Sequence, residues 1–559
     1  PEYEVVGAEP MKLMFNAHLS APLVVEDVTK RSTISLTAVI DKSGSMRGAK
    51  LELVKKTCNF MLNQLSNTDK MGLVEYDTHV NELIPLSQAN ATFKAEAASV
   101  INKMKSGSCT NLSGGLFEGV KQQQGNKFVN WENAAQQTTP EPMQVDGVDG
   151  EAVQAPPAPI VQMAQNLWDG IWSNTANTVQ QQAPQRRSRQ SARTPVPRVQ
   201  PRLKFFPGKQ PEAAEPVEED ALRSIFLFTD GLANEGITNT EELVSALGSI
   251  LDGTPRVRVY TFGFGEDHSP ALLAELARVG AGTYYFMEKE ESIPTAFADA
   301  LGGLLSVAAQ NVTVEFRPAA GVTVSAVHSG FGSAEGAGGA RRIAVGDLLS
   351  EEGKDLLVEL ALPAWEGEGA GAELTVGTLA VSYLDVQAAC LRRQELPCTV
   401  QRARAVPAEA RPNEGVALQR ARVETAAGLA EARRAAESGD LGQARVELER
   451  CLGQVEAVAS ASAFKTQLCQ DLREAHANMR DHRTYASRGS KLIWAKGKAH
   501  AEQRSACLSD SEGEDDEGTA TKTFSYANVQ QKVMRSKAKR ECRQSMPALA
   551  SCRRGSATR

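Results

Sequence analysis

The sequence predicts an α/β protein: a doubly wound, mostly parallel sheet flanked by helices, followed by a small β-sandwich and a C-terminal helical hairpin. Three observations predict it. Apolar, β-branched runs such as STISLTAVI (32–40), SIFLFTDG (224–231) and RVRVYTFGF (256–264) alternate with stretches of helical spacing. From 311 to about 405 the pattern changes to short strands with Gly-rich turns, as in GVTVSAVHSGFGSAEGAGGA. From 414 to 481 small residues and leucines again recur at helical intervals.

Taken in order, KLMFNAHL (12–19) reads as a strand and is followed by a short apolar run from Leu23 to Val25. Residues 1–29 are expected to form an N-terminal strand segment that pairs with the later sandwich, leaving residues 30–308 as an α/β unit inserted in it. After the strand at 32–40, Leu51, Val54, Cys58, Met61, Leu62 and Leu65 mark a helix. Strands follow at 71–77 and 80–86, then helices at 92–105 and from Ser113 to about Gln124. Residues 125–219, rich in Gln, Pro, Ala and Arg, bury too little apolar surface to offset their ordering entropy and read as a disordered insertion. Beyond it, strands at 224–231, 256–264 and 283–287 alternate with helices at 240–252, 270–279 and 292–308. Connections of that length require parallel strands covered on both faces.

The 311–405 segment reads as a small antiparallel sandwich and 414–481 as a helical hairpin. In the hairpin Gly439 ends one helix and Asp440 caps the next, with Gln443 as its capping-box partner. Residues 482–559 read as a disordered tail with the acidic run SDSEGEDDEG at 509–518.

A chain of 559 residues exceeds a single core, and its formal net charge of -7 argues against nucleic acid as the main partner. No apolar run is long enough to cross a bilayer, so no membrane association is expected. Nine cysteines are scattered without any C-x-x-C, which suits reduced thiols. The opening PEYEVVGAEPMKLMF shows no basic segment followed by an apolar one, so no secretory signal is read there. The expected location is intracellular, cytoplasmic, with the nucleus as alternative.

Three loops carry the chemistry. D-K-S-G-S presents Asp41, Ser43 and Ser45 where the first buried strand ends; S-G-S-C-T-N presents Thr110; F-T-D-G presents Asp230. In open α/β sheets the strand ends where connections diverge form the ligand crevice. Two carboxylates and three hydroxyls make an oxygen-only set suited to Mg²⁺, with Mn²⁺ or Ca²⁺ as alternatives and no soft ligand to favour Zn²⁺ or Cu²⁺. Lys42, beside Asp41, is expected to point away by strand alternation.

These motifs resemble the von Willebrand factor type A domain family, whose metal-ion-dependent adhesion site has the pattern D-x-S-x-S, a distant Thr and a distant Asp. The resemblance implies that Ser43 and Ser45 bind the ion directly, that Thr110 binds it directly or through water, and that Asp41 and Asp230 act mainly through water. It implies further that the ion's open position accepts a carboxylate from a partner protein. The order of domains is similar to that of an intracellular eukaryotic group whose plant members include ubiquitin ligases with an N-terminal RING finger, and more distantly to inter-alpha-trypsin inhibitor heavy chains. A RING requires closely spaced Cys/His pairs, which these 559 residues lack.

The resulting expectation is a non-enzymatic, metal-dependent protein-binding scaffold. A substrate adaptor for ubiquitin-ligase machinery is the alternative, and a metal-assisted hydrolase the weaker one. No G-x-S-x-G elbow, P-loop or H-E-x-x-H occurs, and the seven histidines are dispersed, with His268 read as a loop residue. Within the insertion, NLWDGIW (166–172) and RRSRQSAR (186–193) are read chiefly as unstructured linker. Ser509 and Ser511, each with Glu three residues on, resemble acceptors of an acid-directed kinase, or form part of a solubilising tail.

Overall fold

The computed structural model describes residues 2–3, 5–23, 31–125, 203–204, 221–252, 256–365, 370–403, 412–505 and 526–544. Nearly all of the insertion read at 125–219 lies outside the described residues, NLWDGIW and RRSRQSAR included, as do Val25, Ser509 and Ser511.

Six strands form the central sheet in the order Val80–Gln88, Lys70–Tyr76, Ile34–Asp41, Leu222–Thr229, Val257–Phe264 and Ala281–Met287. All neighbours run parallel except the edge strand Val80–Gln88, which turns back antiparallel on Lys70–Tyr76. The sheet is thus mostly parallel, as its βαβ alternation predicts. Every residue of Ile34–Asp41 is buried, which is why that strand reads as one continuous apolar run. Helices Ala49–Gln64, Ala91–Asn102 and Ile293–Leu305 cover one face. Helices Leu112–Gln124, Thr240–Leu251 and Pro270–Val279 cover the other. Glycines let Leu112–Gln124 lie close to the sheet: a Cβ at Gly119 would sit 2.6 Å from Val39, and one at Gly115 would sit 2.5 Å from the Tyr76 ring.

Two further sheets enclose a separate apolar core that joins Leu13, Leu356 and Val358 to Val314, Phe316 and Val381. One runs in the order Val5–Val6, Cys390–Ala403, Ala370–Asp385, Val307–Pro318, Arg341–Leu349, Ser333–Glu335. The other runs Thr323–His328, Gly353–Leu362, Met11–Ser20, Leu203–Lys204. Met11–Ser20 is antiparallel to Gly353–Leu362 over its whole length, with Met11 opposite Leu362 and Ser20 opposite Gly353. The chain therefore begins in the sandwich, leaves it to build the α/β unit, and returns through Val307–Pro318. Two residues of the span read as disordered, Leu203 and Lys204, run parallel to Leu19 and Ser20.

Helices Glu414–Glu437, Leu441–Ala457 and Ala463–Ala477 follow. Gly439, at φ 93°, ends the first, and Asp440 Oδ1 accepts the Gln443 N–H at 2.8 Å to start the second. The expectation of a structureless tail from 482 onward needs correction. Ser490–Glu502 and Val529–Gln544 are helices. Their charges disguise them in the sequence, because several of those charges are buried and paired. Lys496 and His500 both meet the buried Asp471, the latter at 3.0 Å, and Arg535 meets the buried Asp299 at 2.7 Å. No helix among the described residues is long and apolar enough to cross a membrane.

The last helix lies directly on Ile293–Leu305, where a Cβ at Gly302 would fall 2.9 Å from the Gln531 Cα. Gly302→Leu is expected to force that contact apart and cost about 1–3 kcal/mol, read as a lower urea midpoint than the parent protein. A second prediction concerns acid. Glu352 is buried, with Lys354 Nζ at 2.6 Å and Arg504 Nε at 2.9 Å. Burial favours its neutral form, but the charges of Arg504 and Lys354 outweigh that and hold its pKa at about 2, below the ordinary 4.5. A depressed acid stabilises the fold fully above its unfolded pKa, and that contribution is lost as pH falls from about 4.5 toward about 2. The stability gap between wild type and Glu352→Gln is therefore expected to be largest at neutral pH and to shrink across that window, as measured by urea denaturation at stepped pH.

Candidate metal centre

Asp41 is the last residue of Ile34–Asp41, and Asp230 directly follows Leu222–Thr229, the strand beside it. The two strands diverge in chain order at this point, so the acids sit at the topological switch of the sheet. Both are buried. Asp41 Oδ1 accepts the Ser43 N–H at 2.8 Å, and its Oδ2 accepts the Thr229 hydroxyl at 2.8 Å. Even with those donors, burial first and then the negative charge of Asp230 push the Asp41 carboxyl up to about 6.

A chain of hydroxyls joins the two acids. Ser43 Oγ lies 3.0 Å from Ser45 Oγ, and Ser45 Oγ donates to Asp230 Oδ1 at 2.7 Å. The short 3₁₀ turn Gly44–Met46 sets this spacing. Gly44 carries its own constraint, since its N–H donates to the Ser108 carbonyl at 2.8 Å and brings the backbones of two loops together. Gly107 N–H reciprocates to the Lys42 carbonyl at 2.6 Å.

Those two hydrogen bonds seat the third loop. Thr110 is buried; its N–H donates to Asn234 Oδ1 at 2.7 Å, while its carbonyl accepts from Asn234 N–H at 3.1 Å. A Cβ built on Gly231 would lie 3.9 Å from both Ser45 Oγ and Thr110 Oγ1, so the two hydroxyls face one space bordered by that glycine. Asp41, Ser43, Ser45, Thr110 and Asp230, spread over 190 positions of sequence, thus lie in one loop cluster.

Two participants were not singled out from the sequence. Thr229 stands in the quoted F-T-D-G motif, yet only the fold reveals its hydroxyl on Asp41. Lys50 is the larger omission: its Nζ donates to Asp230 Oδ2 at 2.7 Å and lies 5.1 Å from the centre of the Phe264 ring. Lys42, the lysine weighed in the sequence, turns to Glu75 Oε1 at 2.9 Å. His268 lies in the loop between Val257–Phe264 and Pro270–Val279, as read, but is buried there, with its Nε2 2.8 Å from the Tyr284 hydroxyl. Burial, then the charge of Lys491, lower its pKa to about 4, so the ring is neutral. Among the described residues no group of three or more His, Cys, Asp or Glu side chains is placed to hold a metal. A cation held here would depend on hydroxyls as much as on carboxylates.

Comparison with known proteins agrees with this architecture. Two sequence profiles, each described as von Willebrand factor type A domain, match residues 36–138 and 185–286. Among curated proteins, the Arabidopsis thaliana E3 ubiquitin-protein ligase WAV3 is 30% identical over 91 residues, 16% of this chain and 12% of that protein. Inter-alpha-trypsin inhibitor heavy chain H1 of Mesocricetus auratus is 31% identical over 109 residues, 19% of this chain and 11% of that protein. The chain thus spans about an eighth or less of the length of these relatives. A solved von Willebrand factor type A structure from Catenulispora acidiphila superposes with a TM-score of 0.51 at 14% identity, covering 87% of this chain and 97% of that one. Domains of this kind are typically metal-dependent protein-interaction modules. The two profile matches reach into the insertion from its two ends, and three strands of the first lie beside three strands of the second in a single sheet. They match two parts of one von Willebrand factor type A domain, which this chain contains.

Proposed function

We propose that Asp41, Ser43, Ser45, Thr110 and Asp230 hold a divalent cation, Mg²⁺ before Mn²⁺ or Ca²⁺, and that the domain captures a partner protein through a carboxylate. The observation that carries this reading is the pair of serine hydroxyls 3.0 Å apart between two buried acids. Six oxygens at roughly 2.0–2.1 Å around Mg²⁺ place neighbouring ligands about 3.0 Å apart, whereas Ca²⁺ at about 2.4 Å would separate them by about 3.4 Å. The donor set is all oxygen, which is what hard cations take.

When bound, the ion supplies a positive, exchangeable coordination position to which a carboxylate is drawn. The chain's own residues do the rest. Thr229 and the Ser43 N–H hold Asp41 in one orientation, and the backbone bonds among Lys42, Gly44, Gly107 and Ser108 keep the hydroxyl loops in register. Ser45 and Gly44 are exposed, so this side of the cluster is open to a partner. Because the acids are buried and the loops cross-linked before any partner arrives, little ordering entropy is left to be lost on binding. The sandwich and helices act as rigid support and further contact surface.

The chain is read as a non-enzymatic scaffold. The imidazole of His268 is engaged by Tyr284 rather than by the acids. A cytoplasmic location, with the nucleus as alternative, is supported by the six free thiols among the described residues. The names of the plant relatives favour a second reading, an adaptor that presents substrates to ubiquitin-ligase machinery. Co-purification of ligase components would distinguish it.

The test is direct. Asp41→Ala combined with Ser43→Ala is expected to abolish EDTA-sensitive capture of partner proteins in a crosslinking pulldown, with unchanged circular dichroism. Capture that persists equally with EDTA, or in the double variant, removes the metal mechanism.

A further inference from the structure

We propose that Lys50 is a tethered competitor of the divalent cation, holding Asp230 until a metal ion displaces its ammonium; this rests on the metal reading above. Both oxygens of Asp230 are engaged by protons, Oδ1 by the Ser45 hydroxyl at 2.7 Å and Oδ2 by Lys50 Nζ at 2.7 Å. The carboxylate is fully buried while the lysine side chain is 29% exposed. One partner is therefore fixed and the other has a route to solvent.

The position of Lys50 in its helix marks this as a specific arrangement. It is the second residue of Ala49–Gln64, two positions after Gly48 at φ 89°. A cation in the first turn faces the positive end of the helix dipole and is disfavoured there. The pairing with Asp230 and the Phe264 ring at 5.1 Å offset that cost. A helix start would otherwise favour an acid in this turn, as Glu52 provides two residues on.

The electrostatic consequence follows from charge and reach. With Lys50 in place the two acids and the ammonium sum to one negative charge; without it, a divalent ion meets two. An ammonium on a flexible four-carbon stem yields to a divalent ion by swinging outward toward solvent. The lysine thereby sets a threshold. It keeps Asp230 neutralised and the loops closed at low metal concentration, and it weakens the site for the ion that replaces it.

The experiment is Mn²⁺ titration of the full chain by calorimetry at one neutral pH, for wild type, Lys50→Met and Lys50→Arg. Lys50→Met is expected to bind Mn²⁺ at least about tenfold more tightly, and Lys50→Arg, which keeps the charge, to stay within about threefold of wild type. Equal or weaker binding by Lys50→Met overturns the proposal and makes the lysine a lock on the site. Absence of Mn²⁺ uptake by wild type and Lys50→Met alike overturns the metal reading itself, and the competition with it. Lys50→Gln provides a second neutral side chain should Lys50→Met fail to fold, judged by its thermal melt, and carries the same expectation.

Discussion

Two carboxylates buried side by side at the ends of adjacent strands are the constraint on which the rest of this site depends. Neither Asp41 nor Asp230 can shed its charge into water, and the elevation of Asp41 to about 6 registers both its burial and its neighbour. Such a pair persists in a stable fold only if something nearby supplies positive potential. Here the chain supplies it in graded form: a backbone N–H from Ser43, hydroxyl protons from Thr229 and Ser45, and one full charge from Lys50. Tyr76 adds no charge; burial, then the nearness of Asp41, hold its phenol protonated, and it donates to the Phe228 carbonyl at 3.0 Å. A site that already spends this many donors on two acids is one in which a small, hard cation has much to replace and much to gain.

The loops are kept in place by close backbone approach more than by side-chain packing. Gly44 and Gly107 exchange hydrogen bonds with the opposite loop, and Gly231 leaves open the space that the Ser45 and Thr110 hydroxyls face. At Gly236, with φ 73°, the loop after Asp230 turns back toward Asn111 and Ser113. At Gly107 and Gly236 an added Cβ would clash with Asp77 and Ser113, so a side chain at either would push the loops apart, and with them the oxygens.

What the sequence made legible divides along physical lines. The alternation of β-branched runs and helical spacing reflects burial on both faces, so the parallel sheet was readable from Ile34–Asp41 and its neighbours alone. The motifs of Asp41 and Asp230 stand at strand ends, whereas Thr110 lies in the loop between helices Ala91–Asn102 and Leu112–Gln124. Lys50 was not readable, since a lysine early in an amphipathic helix looks like any solvated charge until the fold brings Asp230 to it. The helices Ser490–Glu502 and Val529–Gln544 were missed for a related reason: Lys496, His500 and Arg535 are buried against Asp471 and Asp299, and no periodicity of apolar residues reveals a buried ion pair. Polar residues with distant partners are where one-dimensional reading loses information.

Topology explains why so much can be attached to this domain without covering the cluster. A helix between parallel strands carries the chain back to the edge where the strands begin. Leu112–Gln124 therefore ends beside Ser35 and Ser224, where the Gln123 side chain bonds to both, and the chain is described again at Ala221, next to the same edge. Ile293–Leu305 ends there too and leads straight into Val307–Pro318, with Gln310 bonded to Ser32 and Arg258 paired with Asp347. The sandwich and both described ends of the insertion thus meet the sheet at its starting edge. Asp41 and Asp230 lie at the opposite one. Buried ion pairs such as Arg258 with Asp347 gain little net stability over apolar packing, yet they admit few alternative geometries. Their contribution here is to fix the frame at one edge of the sheet, opposite the edge where Asp41 and Asp230 stand.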